Sequence, residues 1–146
     1  RMLNDIDLFK QFGDRIKVGA TLTFSDEYFS SKWEPGATLP HERVNSLKKV
    51  AEHGIKTWAS FEPVVIPAQS LQLMEYVAPF IDHIRIGKLN NFKGYDKKID
   101  WTKFLQNAVR LCRKLEIPFY IKNDLADFNI NTFLEPHERN ADYFNL

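Results

Sequence analysis

Cysteine is almost missing from this chain: Cys112 is the only one in 146 residues. A single thiol excludes a disulfide framework and any metal site built from paired cysteines within the chain. It also fits a reducing, cytoplasmic setting. Cys112 falls on the apolar stripe of a helical pattern, where a thiol packs as a small hydrophobe. Apolar runs are short. None nears the ~20 residues needed to span a bilayer, and no secretory n-region and h-region is present. Charge of one sign is lacking too, because 20 Lys and Arg against 19 Asp and Glu leave a net +1. Such a balance gives no whole-chain field to recruit nucleic acid or an anionic membrane. The six glycines form no phosphate-binding loop, and the four histidines show no His-Glu-x-x-His spacing. No metal site within the chain is expected.

What is present is aromatic and apolar in short, regular pieces. Aromatic residues make up 14% of the chain, and large rings dominate core burial. The length suits one core and not two ordinary domains. Leu3, Ile6, Leu8, Phe9 and Phe12 predict a helix capped by Asn4 and ended by Gly13. A strand over 16–24 follows, then an excursion over 25–39 that turns at Pro35 and Gly36. Pro40 suits the first turn of a helix whose inner face is Val44, Leu47, Val50 and Ala51. A strand over 55–62 is expected to stop at Pro63, followed by a helix over 68–80. The third strand, 84–89, leads into a turn-rich loop over 90–95. Asp100 caps a strong helix with Trp101, Phe104, Leu105, Ala108, Val109, Cys112 and Leu115 on its stripe, and the fourth strand covers 119–122. Residues 126–146 form a tail without clear period.

Strands separated by helices mean parallel strands joined by right-handed crossovers. The fold class is therefore α/β, a partial (βα) TIM-like barrel with about four strands. Four strands are half a complete eight-unit barrel. The chain opens at Arg1 on a helical pattern with no strand before it, which we read as a piece of a longer chain.

Alternate residues of a strand face opposite sides of the sheet. One side collects Val18, Ala20, Leu22, Ala59, Phe61, Ile84, Ile86, Phe119 and Ile121, which must meet the helices. The other collects Thr21, Thr23, Ser60, Glu62, Arg85, Tyr120 and Lys122. A purely structural barrel fills its interior with Val, Ile and Leu, so this face reads as a site at the carboxyl ends of the strands. The competing reading is a salt-bridge network, with Glu62 pairing Arg85 or Lys122 to satisfy buried charge. Lys93, Lys97 and Lys98 with Phe92 and Tyr95 combine charge and stacking surface as a nucleic-acid contact would, or form a solvated loop.

Several segments carry a resemblance: KVGATLT at 17–23, WEPGA at 33–37, Glu42 with Arg43, SFEPV at 60–64, IGKLN at 86–90, Asp100 with Trp101, and YIKND at 120–124. In that order they resemble the C-terminal half of radical S-adenosylmethionine enzymes of the spore photoproduct lyase-like, or DNA repair photolyase-like, family. The resemblance implies a partial barrel whose inner face binds S-adenosylmethionine and substrate. In such enzymes a Cys-x3-Cys-x2-Cys loop holds a [4Fe–4S] cluster, and one electron cleaves the cofactor. This chain has no such loop, so the cluster ligands would lie upstream, in the missing N-terminal half of the barrel.

By position, the resemblance places Thr21 and Thr23 near the ribose and carboxylate of the cofactor, with Ser60 among the cofactor-binding residues. Glu62, Pro63 and Val64, and then Leu89 and Asn90, match strand ends beside the adenine. Arg85, Tyr120, Lys122 and Asp124 fall nearer the substrate, Arg85 standing where Lys is common. Residues 1–125 would form the barrel part and 126–146 the tail, inactive alone and prone to self-association. Two alternatives remain open on the residues: a cluster-free lyase or aldolase half with Lys122 or Lys88 as a Schiff-base amine, and a binding module without activity.

Overall fold

A computed structural model describes residues 2–90, 92, 94–130 and 132–139. Asn91 and Lys93 of the turn-rich loop, and tail residues 140–146, lie outside the described residues. Four strands, β1 (Val18–Thr21), β2 (Thr57–Val64), β3 (His83–Lys88) and β4 (Phe119–Ile121), form one sheet in the order β1-β2-β3-β4, every pair parallel. The crossovers are helical: α2 (Glu27–Trp33) and α3 (Pro40–Glu52) join β1 to β2, α4 (Pro67–Val77) joins β2 to β3, and α5 (Trp101–Lys114) joins β3 to β4. The helix α1 (Ile6–Phe12) precedes β1, and the short α6 (Asn123–Ala126) and α7 (Pro136–Arg139) follow β4. The α/β fold, with four parallel strands and helical crossovers, is the one expected.

One face of the sheet is buried under helices because its residues are apolar at every second position. Ala59, Phe61, Ile84, Ile86 and Ile121 are fully buried, and Leu47, Met74, Val77, Leu105, Ala108 and Cys112 meet them from α3, α4 and α5. A second cluster, Val18, Val50 and Ile55, takes the inner side of α1 through Ile6 and Phe9. Leu8 and Phe12 of that helix stay exposed. Among the described residues no helix is long and apolar enough to cross a membrane.

Strand limits shift by one or two residues from expectation, and four differences go further. Asp5, not Asn4, precedes α1, and it makes no side-chain cap. β1 ends at Thr21, three residues early, because Leu22 and Phe24 turn into the core. The excursion over 25–39 contains α2, capped by the Asp26 carboxylate accepting from the Phe29 amide at 3.0 Å. Pro63 does not stop β2. The Glu62–Pro63 peptide is cis, and the strand continues to Val64 with a shift of register against β3.

Candidate functional site

Register turns strand parity into rows across the sheet. Thr21 pairs with Ser60, Ser60 with Arg85, and Arg85 with Tyr120, so the four lie side by side on the face away from the helices. Below them lie Gly19, Trp58 and His83, also paired in register. Above them Glu62, one step up β2, forms a salt bridge with Lys122. The structure thus brings Thr21, Ser60, Glu62, Arg85, Tyr120 and Lys122 together on one face.

Of the two cations that the sequence offered Glu62, Arg85 and Lys122, the structure pairs it with Lys122. The Glu62 carboxylate reaches past β3 to the ammonium of Lys122, the residue that follows β4, with the two side chains 29% and 35% exposed. The Arg85 guanidinium lies over the Trp58 indole, 3.9 Å from the ring centroid, a cation–π stack that holds a cation on a half-buried surface. Trp58 in turn lies against the bare Cα of Gly19. His83 is buried beneath, and neither ring nitrogen has a hydrogen-bond partner among the described residues. Burial first, then the charges of Arg85 and Lys17, lower its pKa to about 4, so the ring is neutral at pH 7.

The remaining predicted residues fall at the carboxyl ends of the strands, in different roles. Thr23 is buried, and its hydroxyl donates to Glu34 at 3.4 Å. Glu34 also accepts from Arg43 at 3.1 Å, and Arg43 donates to the carbonyls of Thr21 at 3.0 Å and Thr38 at 2.7 Å. This network explains why WEPGA and the Glu42–Arg43 pair travel with the first strand: one guanidinium ties α2 and α3 to the end of β1. The Glu42 carboxylate accepts from the Leu39 amide at 3.2 Å, at the start of α3. Val64 and Leu89 bury their side chains in the core, leaving only backbone for a ligand. Asn90 donates to the Asp124 carboxylate and accepts from Lys88 Nζ at 2.8 Å. Lys88 also faces the rings of Trp101 and Phe128, each 5.8 Å away.

Trp58 and His83 were missed as members of the face, whereas strand parity had already put Gly19 beside Thr21 and Gly87 beside Arg85. The glycines carried a signal, since a glycine inside a strand marks a close approach of neighbours. Trp58 shares the parity of Ser60 and was legible on that ground. A cleft of about 580 Å³, lined by Lys48, Glu52, Lys56, Phe80 and Asp82 among others, opens at the opposite end. Parallel sheets place ligands at the carboxyl ends, so the polar face is the better site despite that volume.

The donor set also decides which groups the chain can hold. Cys112 is buried in α5, and burial, helped by the Glu138 carboxylate, pushes its thiol up to about 12. A metal needs the thiolate, so this residue does not fit an iron–sulfur cluster. Among the described residues no group of three or more His, Cys, Asp or Glu is placed to hold a metal ion.

No family profile matches the chain. Over 64 residues it is 34% identical to the uncharacterized protein MJ0683 of Methanocaldococcus jannaschii, a stretch covering 44% of this chain and 24% of that protein. The crystal structure of Streptococcus suis SuiB bound to S-adenosylmethionine superposes with a TM-score of 0.58 at 15% identity, over 82% of this chain and 30% of SuiB. A second crystal structure of SuiB gives 0.60 at 14% identity, over 84% and 32%. The fold of this chain is therefore that of a part of SuiB. The matched stretches span 24–32% of the length of these proteins.

Proposed function

We propose that this chain is the C-terminal part of a radical S-adenosylmethionine enzyme and supplies strand ends that face cofactor and substrate. The observation that carries the reading is the polar row Thr21, Ser60, Arg85 and Tyr120 with the Glu62–Lys122 pair above it, in a fold shared with a protein that binds S-adenosylmethionine. The cofactor offers an ammonium, a carboxylate and ribose hydroxyls. The face offers a carboxylate in Glu62, cations in Arg85 and Lys122, and hydroxyls in Thr21 and Ser60, so the donor set fits. When bound, the cofactor supplies the radical chemistry; the protein supplies position and electrostatics.

Glu62 and Lys122 orient charged groups, Thr21 and Ser60 take the ribose side, and the backbone at Pro63, Val64, Leu89 and Asn90 borders the adenine. Arg85, Tyr120 and Asp124 shape the substrate side. The cluster ligands come from outside this chain, because its one cysteine is unfit for the role. Both lysines of the Schiff-base alternative are engaged, Lys122 by Glu62 and Lys88 by Asn90, which weighs against a free nucleophilic amine.

The reading frame that encodes the chain tests this. It should carry Cys-x3-Cys-x2-Cys after a strand, roughly one to two hundred residues before Arg1 by ordinary domain size. A parent protein without that triad overturns the proposal.

A further inference from the structure

Two glycines lie on the polar face, Gly19 and Gly87, and neither has a positive φ. The backbone therefore does not require glycine at either place. Space does. A Cβ on Gly19 would stand 2.1–2.5 Å from the Trp58 indole, and one on Gly87 would stand 2.8 Å from Glu62 Cδ and Oε1 and 3.0 Å from Cγ. Trp58 and Glu62 both belong to β2, so this strand lays one side chain over each neighbouring strand and leaves Ser60 between them. Glu62 must cross all of β3 to meet Lys122, a span of two strand spacings, roughly 10 Å.

We infer that Gly87 is a positioning residue for the Glu62–Lys122 pair: the absent side chain is the gap through which the carboxylate crosses β3. A β-carbon at 87 lifts Glu62 from the sheet, takes its carboxylate away from the Lys122 amine and raises that carboxylate above Ser60 and Arg85. The atoms in the way belong to the far end of a flexible side chain, so the fold tolerates the change while the pair does not. A ligand would then meet a different set of charges.

The test is competitive acetylation of the purified chain, reading Lys122 against the exposed Lys103 by mass spectrometry. Gly87→Ala and Glu62→Ala should each raise Lys122 labelling about two- to fivefold, the ratio that corresponds to a partly exposed ion pair. Gly87→Ala should add nothing in the Glu62→Ala background, an outcome that a general packing role for Gly87 does not produce. Wild-type labelling in Gly87→Ala, or a further rise in the double variant, overturns the inference. Should Gly87→Ala misfold, the double variant must fold, because the clashing partner is gone; misfolding of both also overturns it. No cofactor enters the experiment, so its failure leaves the proposed function standing.

Discussion

Glu62 and Lys122 differ from a buried ion pair in how far water reaches them. Removing one partner of a dry pair costs about 3 kcal/mol or more, but these side chains are 29% and 35% exposed, and solvent screens the charge left behind. Glu62→Gln should therefore cost about 1 kcal/mol in urea melts. Its coupling to Lys122→Met should exceed ~0.5 kcal/mol, the level at which neighbours stop being additive. Purely additive effects would mean that the pair does not form in solution. Sequence parity had put Glu62 on the right face and gave it either Arg85 or Lys122 as partner. Which cation won depended on the bare Cα of Gly87 and on Arg85 settling over Trp58, and neither contact has a periodic signature.

His83 gives the second residue-scale prediction. Its folded pKa of about 4 lies below the ordinary histidine value of 6.5. Above pH 6.5 both folded and unfolded states carry a neutral ring. As pH falls from 6.5 towards 4 the unfolded chain binds a proton that the folded ring refuses, so stability is lost through that window. By pH 5 the loss should be about 2 kcal/mol relative to pH 7.5. His83→Leu should remove that share of the acid sensitivity, read as the difference between melts of the two proteins at each pH. An unchanged difference would show that the ring is protonated or solvated in the folded state. Nothing in the sequence marked this histidine, because its burial depends on β3 starting one residue before the apolar run.

At the scale of elements, Arg43 joins three pieces of chain by accepting no substitute geometry. Its planar fork donates to Thr38, Thr21 and Glu34 at once, which the single ammonium of lysine cannot reproduce. Arg43→Lys should cost about 1–2 kcal/mol, within the range for charge-assisted hydrogen bonds. It should also raise amide exchange around residues 21–24 more than in α5; uniform exchange would contradict this local role. The long helices α3, α4 and α5 were legible because their apolar stripes recur at helical spacing and Pro40 and Asp100 mark two of the starts. The seven-residue α2 was not, because its one signal, Asp26 as a cap, sits among turn residues and its apolar face is short. Pro63 misled for a related reason: proline in a strand is ordinarily a stop, yet here it sits at a register shift that the sheet accommodates.

For the molecule as a whole, the sheet ends at β1, where pairing with β2 uses alternate amides. Val18 donates to Lys56 at 2.9 Å and Leu22 to Ser60 at 2.8 Å, so the Gly19 amide between them points outward. Unpaired strand edges recruit further strands, and exposed Leu8 and Phe12 on nearby α1 add apolar surface. We expect the isolated chain to self-associate, with an apparent mass that rises with concentration in sedimentation runs. A constant monomer mass would show that Arg43, bound to the Thr21 carbonyl, closes this edge well enough.

On the proposed reading, the polar face serves an S-adenosylmethionine enzyme of which this chain is one part. The most direct measurement is anaerobic reconstitution of the parent protein with iron and sulfide, followed by an assay of S-adenosylmethionine cleavage under a strong reductant. Cleavage is expected from the parent, none from the present chain alone, and a lower rate from the parent carrying Glu62→Gln. A reconstituted parent that leaves the cofactor intact, or cleaves it equally well without Glu62, would contradict it.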